Sequence, residues 1–417
     1  MDLKGENTTS AEISEQNQAH QGDEKPSLSE MQQPKTHKNW LQRYGIWLLV
    51  VLLLVAAVVS YFVTKSLNQP TATDRPLKIG ILAALTGGSS THGHGISKGI
   101  QLAQKELGAT NVEIVQEDSQ CDPKVGQEAM QRLIDQNVNV VIGDGCSSVS
   151  VAVLPLANGT ETPMISPGAS SPALSIPNDY FFRTIPSDRW QGQFMAQTLY
   201  DAGHRRVAVF YTNEPYGSGM NNQFREHFES LGGQVVATAT AEPDDTDLDT
   251  HIDQLIAANP DALFVAPNSI LTGTAAIQIA HDKGLQVPYY GADIFYDTTV
   301  IDNAPEASQG LVVSTFNTGT QAFRDALAAE SPVQEQLFAA AGAYDAFHVA
   351  YEAYQRGART GREFKQMFPM IEFQGVSAYI RFNEDGELNG EDYVYSLLRV
   401  EGDRFAEIAP GEALGAD

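Results

Sequence analysis

The sequence predicts an α/β protein built on parallel sheets with helices on both faces, preceded by one transmembrane helix. Three observations carry that prediction. From Leu77 onward, short β-branched runs alternate with amphipathic stretches, the pattern of a parallel sheet wrapped by helices. From Tyr44 to Thr64 no residue is charged, a stretch that at ~1.5 Å per residue crosses ~30 Å of hydrocarbon. The 417 residues are 42% hydrophobic and 19% charged, with 52 Asp and Glu against 26 Lys and Arg. That is the composition of a globular protein with a self-repelling surface. The resulting net charge of −26 argues against a nucleic-acid binder, which needs a basic face.

Residues 1–43 are rich in Gln, Glu, Ser, Lys and Asn and hold too little apolar surface to offset ordering entropy, so they read as a disordered cytoplasmic tail. The span 44–64 follows. Trp40, Tyr44 and Trp47 suit one membrane interface and Tyr61 and Phe62 the other, while Lys35, Lys38 and Arg43 precede the span and Lys65 follows it. That asymmetry puts the N-terminus in the cytoplasm of a bacterial inner membrane. The competing reading is a cleaved signal peptide. The long leading tail, the length of the apolar run and the lack of a small-x-small site favour a retained anchor. Residues 65–76 read as an extended linker, and the remainder lies outside the membrane, in the periplasm.

The body has apolar runs at 77–84, 112–117, 138–144, 163–167, 205–211, 262–267, 288–293 and 311–316. Near-continuous apolar strands are what burial on both faces demands. Between them, stretches such as Pro123 to Gln136 set Val125, Met130, Leu133 and Ile134 on one helical stripe. The end departs from this rhythm: Val376 to Phe382 and Tyr393 to Val400, joined through Asn383-Glu384-Asp385-Gly386, read as a closing antiparallel pair. Asn383 and Asp385 resemble the start of a calcium loop, but the far-end ligand is missing and a turn is the better reading. There is no internal repeat.

Cys121 and Cys146 each follow a predicted strand in adjacent βα units. Neighbouring strand ends approach closely enough for a disulfide in an oxidising compartment; the alternative is two unrelated buried thiols. In open α/β sheets ligands bind beyond the carboxyl ends of the strands. The loops there are 85–99, 143–148, 168–171, 214–219 and 291–293, and their hydroxyls and helix N-termini suit a carboxylate. Each alone is more often a helix cap than a ligand contact, and their recurrence at one sheet edge favours the site. The glycines of 87–99 lack the Gly-Lys-Ser/Thr ending of a phosphate loop, and Gly217-Ser218-Gly219 lacks nucleophile-elbow spacing. His92 and His94 have no third metal ligand. Asp297, four residues after Asp293, reads as a solvated loop residue and not as half of an acid/base pair. Asn158-Gly159-Thr160 is a chance sequon. No triad, metal cage or cofactor site assembles, so the chain does not read as an enzyme.

The segments LKIGILAALTGGSSTHGHGISKGIQLAQKEL, QEDSQCDPKVGQEAMQRLI, VVIGDGCSSVSVAVLPLA, PMISPGASSPALS, FFRTIPSD, VAVFYTNEPYGSGM and VSAYIRFNEDGELNGEDYVYSLLRV resemble the type I periplasmic solute-binding proteins. The class is that of branched-chain amino-acid ABC transporters, typified by the leucine/isoleucine/valine-binding protein, and the resemblance runs from Leu77 to about Ile408. It implies two Rossmann-like lobes joined by three crossover strands, with the ligand in the cleft. Lobe 1 would comprise 77–187 plus 317–375 and lobe 2 188–316 plus 376–410. By motif, Ser147 resembles the serine that bonds the ligand carboxylate. Gly168 and Ser170 resemble the backbone and hydroxyl contacts to the head group. Tyr216 resembles the aromatic that closes from lobe 2, Asp293 the acidic partner of the α-ammonium, and His92 a side chain lining the tail pocket.

Three departures qualify the resemblance. Asn268-Ser269-Ile270 stands where the family has an aromatic, making the tail pocket more polar. Asp293 is one methylene shorter than the typical glutamate, which shifts the ammonium contact or inserts a water. The anchor and tail replace the family's soluble or lipid-tethered form. The resemblance therefore implies a membrane-anchored binder of an amino acid or similar ligand, handing it to an ABC permease or reporting to a membrane sensor, without cofactor. The other reading is a ligand-free interaction module of the cell envelope on the same fold.

Overall fold

The computed structural model describes residues 40–67, 75–243, 245–330 and 336–409. The chain divides into two compact units, Met1–Pro70 and Thr71–Asp417. In the first, α1 (Trp40–Leu67) is a 28-residue helix whose described side chains, including Trp47 and the leucines and valines from Leu49 to Val59, are exposed. Among the described residues no helix is long and apolar enough to cross a membrane. The helix starts at Trp40, inside the segment read as tail, and residues 1–39 lie outside the described residues. So do residues 68–74 of the expected linker, whose first three positions, 65–67, belong to α1.

The described residues of the second unit form two large sheets and one two-stranded sheet. The first is parallel, with β1 (Leu77–Ala83), β2 (Val112–Asp118), β3 (Val140–Gly143), β4 (Met164–Ser166) and β5 (Phe181–Arg183) in the order β2-β1-β3-β4-β5. Successive residues of its inner strands go to opposite faces. Ile79, Ile81, Val140 and Ile142 pack against Ile96 and Ile100 of α2 (Ser90–Glu106). Leu82, Val141 and Met164 pack against Met130 and Leu133 of α3 (Pro123–Asp135) and Val149 and Val153 of α4 (Ser147–Thr160). Each of these strands is coated on both sides, which is why it reads as a continuous apolar run.

The chain then enters a second sheet through α5 (Asp188–Asp201) and β6 (Arg206–Thr212), followed by α6 (Pro215–Ser230), β7 (Gln234–Ala241), α7 (Asp249–Ala257), β8 (Ala262–Ala266), α8 (Ile270–Asp282), β9 (Tyr289–Gly291), α9 (Thr299–Asn303) and β10 (Val312–Thr315). It returns to the first core with α10 (Gln321–Glu330), α11 (Leu337–Gln355) and α12 (Gly361–Met367), where Phe323, Phe338 and Phe347 meet the β1 side chains. After a short hairpin of β11 (Phe373–Gln374) and β12 (Tyr379–Ile380), the last strands β13 (Ser396–Glu401) and β14 (Arg404–Ile408) rejoin the second sheet, ordered β14-β13-β10-β9-β8-β6-β7. The backbone thus passes between the two sheets three times.

Four expectations need correction. β7 was not among the predicted runs: it is an edge strand whose sequence QVVATATA is only partly buried, so it lacks the continuous apolar signature of a strand covered on both faces. β5 has three residues, too few to show a period. Val376–Phe382 does not pair with Tyr393–Val400; β13 pairs antiparallel with β10 and β14 instead. Asn383 forms a turn, its Oδ1 accepting from the Asp385 and Glu387 amides at 3.0 and 3.1 Å. Finally, His92 and His94 lie in α2, which starts at Ser90, not in an open loop.

Cys121 and Cys146 form the expected disulfide, 25 residues apart with Cα atoms separated by 5.6 Å. It ties the loop after β2 to the loop after β3, at the sheet edge that carries the site.

Candidate functional site

Each loop at that edge is shaped by a local rule. Cys146 is the N-cap of α4, so Ser147 occupies the first helical turn, where unpaired N–H groups and the helix dipole favour an anion. The Ser147 hydroxyl, 2% exposed, accepts from the Ser171 amide at 3.1 Å. Pro215 opens α6, and the Glu214 carboxylate caps it by accepting from the Tyr216 and Gly217 amides at 2.8 and 2.6 Å. That cap fixes Tyr216 one residue inside the helix. Its hydroxyl donates to Asp293 Oδ1 at 2.7 Å, from which Asp293 opens a single turn after β9.

His92, Ser147, Gly168, Tyr216 and Asp293 line one cavity of about 20 Å3, together with Cys146, Asn268 and Ile294. The first three belong to the first sheet's side, with His92 and Ser147 at the starts of α2 and α4, and the last two to the second's, with Tyr216 at the start of α6. The cleft is closed over it: Ser171 Oγ donates to the Pro215 carbonyl at 2.7 Å and Thr91 Oγ1 to Asp297 Oδ2 at 2.9 Å. Asp297, read as a solvated loop residue, is therefore an interlobe contact. Ser170 is buried but does not line the cavity. The Gly168 amide points to Ser166 Oγ at 3.2 Å, so that N–H is already engaged.

The electrostatics are those of a buried acidic nest. Burial lifts the Asp293 carboxyl to about 6, against the Tyr216 and Gln191 hydrogen bonds that pull it down. Asp188, the first residue of α5, is fully buried and held well above the usual carboxylate range, by burial first and the Asp293 charge second. Neither Asp188 oxygen, nor Ser170 Oγ, nor Gln191 Oε1 makes a hydrogen bond of good geometry. Asp144, under the first lobe's loops, is raised to about 7 by burial, although its Oδ1 accepts from the Cys146 amide at 2.7 Å. Among the described residues no group of three or more His, Cys, Asp or Glu is placed to hold a metal ion.

Sequence reasoning missed Asp188, Asp144 and Arg183. In sequence, Ser187-Asp188 reads as an N-cap and a first-turn acid, and Ser187 does accept from the Arg189 amide. Arg183 is 1% exposed; its guanidinium donates to the Ala169 and Ser171 carbonyls at 3.2 and 3.0 Å and pairs with Glu387. It therefore holds the 168–171 loop from behind. A charge ending the apolar strand FFR was the available signal.

Comparison with known proteins places the fold. The family model described as "Periplasmic binding protein" matches residues 76–402. The Leu/Ile/Val-binding protein homolog 2 of Brucella abortus is 25% identical over 353 residues, covering 75% of this chain and 92% of that protein. The leucine-, isoleucine-, valine-, threonine- and alanine-binding protein of Pseudomonas aeruginosa is 23% identical over 358 residues, covering 82% and 93%. Among solved structures, a leucine binding protein of Thermotoga maritima superposes with a TM-score of 0.72 at 26% identity, covering 80% of this chain and 98% of that one. The chain belongs to the periplasmic binding protein family, in the type I class of the Leu/Ile/Val-binding proteins.

Proposed function

We propose that this solute-binding protein captures an α-amino acid between its lobes by hinge closure, and that α1 anchors it to the outer face of the cytoplasmic membrane beside an ABC-type permease or a membrane sensor. The observation that carries the reading is the pairing of opposite chemistries around one cavity. Ser147 and the N-terminus of α4 stand on one side for a carboxylate, and the buried Asp293 carboxyl, bonded by Tyr216, stands on the other for an ammonium. The buried Asp188 carboxyl, whose pKa the Asp293 charge helps to raise, adds acidic character to that side, which suits a group with N–H donors. Closure strengthens these contacts by excluding water.

The test is thermal unfolding of the full chain in detergent, refolded from denaturant to strip carried ligand, against amino acids, amides and small carboxylates. A ligand at about 100 times its Kd adds about 2.7 kcal/mol, and Ser147→Ala should shrink that shift by removing one charge-assisted hydrogen bond, worth about 1.5–3 kcal/mol. A flat response from a cooperatively folding protein would turn the reading to an interaction module. The anchor is tested separately: after alkaline carbonate washing the chain should stay with the membranes, and its release as a shortened soluble form would show a cleaved leader instead.

A further inference from the structure

With Ser147 assigned to the carboxylate and Asp293 to the ammonium, His92 and Asn268 are two further polar side chains that reach the cavity from opposite lobes, and His92 sits in an unusual setting. His92, 6% exposed, packs its ring 5.3 Å from Phe338 and directly over Gly145 and Gly168. A Cβ at Gly145 would fall 2.7 Å from the ring Cε1, and one at Gly168 would fall 2.4 Å from Nε2. Two glycines thus make room for an imidazole, and the imidazole fills the space they leave. Its Nε2 is buried without a hydrogen-bond partner, a costly arrangement unless the site's occupant supplies one. Burial holds the ring pKa down to about 4, so at neutral pH it is uncharged and, by tautomer, donates or accepts.

From the second lobe, Asn268 reaches the same cavity, its amide nitrogen turned to the Cys121 sulfur at a weak 3.7 Å. The closed lobes enclose about 20 Å3, roughly the room one water requires, so any amino acid enters by parting them, and a short side chain parts them least. A branched aliphatic tail would press methyl groups on an imidazole nitrogen and an amide. We propose that the cleft selects amino acids with a short, uncharged, hydrogen-bonding side chain, serine or threonine, read by His92 Nε2 and the Asn268 amide. This rests on the amino-acid reading above and narrows it.

Threonine and valine share a shape and differ by one hydroxyl, so the refolded full chain is titrated calorimetrically with both, and with glycine, alanine, serine and leucine. Threonine or serine should bind at least about tenfold tighter than valine, the value of one net hydrogen bond. His92→Phe, which keeps a ring and removes the nitrogens, should bring the threonine-to-valine ratio to about one. Asn268→Leu tests the same point from the other lobe, should the ring substitution unfold the protein. Valine or leucine binding as tightly as threonine would overturn the selectivity and leave the amino-acid reading standing. Silence toward every amino acid, glycine and alanine included, would overturn both.

Discussion

Asp293→Asn is expected to weaken amino-acid binding by about 3 kcal/mol or more, over a hundredfold, while leaving the fold intact. Truncating one partner of a buried, hydrogen-bonded charge pair costs about 2–5 kcal/mol, much of it the penalty of leaving the other charge unpaired. Asparagine can still accept from Tyr216, whose hydroxyl lies 2.7 Å from Asp293 Oδ1, so the loop should hold its shape and the loss should fall on the ligand. The pH dependence gives the result a second signature. Burial lifts the ligand-free carboxyl to about 6, whereas an ammonium favours its ionised form. Binding below that pH must expel a proton, so affinity should drop about tenfold for each unit of acidification.

Stability runs the other way. A carboxyl whose pKa is raised in the folded state binds its proton more tightly there than in the unfolded chain. Its contribution is greatest in acid and is lost as pH rises through about 6. Asp188 and Glu214, both raised by burial, add to that trend, while His92, lowered to about 4 by burial, opposes it between that value and the ordinary imidazole range. Calorimetric titration from pH 5 to 8 should show wild-type affinity rising to about pH 6 and then levelling, and the Asn variant binding weakly without that inflection. An unchanged inflection in the variant would assign the proton to another group and remove Asp293 from the ammonium contact.

Much of the architecture was readable because its strands are covered on both faces. Ile79, Ile81, Val140, Ile142, Phe264 and Val265 are all fully buried, so they form apolar runs that no surface strand would show. β7 escaped for the converse reason: an edge strand half in water carries Thr and Ala in alternation. The site loops were readable from topology, since ligands gather at strand carboxyl ends whatever the residues. Asp144, Asp188 and Arg183 were not, because in sequence a charge reads as surface. Only the packing of loops from distant segments buries these three, as Glu387, 204 residues away, does for Arg183.

Arg183→Met is expected to cost about 3–5 kcal/mol of stability, the penalty for breaking a buried ion pair from one side. Arg183 is 1% exposed and its partner's side chain 8%. Its Nε donates to Glu387 Oε2 at 2.9 Å, and the same carboxylate oxygen accepts from Ser175 Oγ at 3.0 Å. Methionine would leave that carboxylate buried without a cation, and would also strip donors from the Ala169 and Ser171 carbonyls that flank Ser170. These two consequences are separable. Adding Glu387→Leu removes the orphaned charge, and since apolar replacement of both partners is often neutral, the double variant should recover most of the lost stability in denaturant unfolding. It should not recover affinity, because nothing in it restores the donors to the 168–171 loop. A single variant costing under about 1 kcal/mol would show that Glu387 finds water or another partner. A double variant that regains both stability and full affinity would show that the guanidinium holds the fold alone, and that the loop needs no support from Arg183.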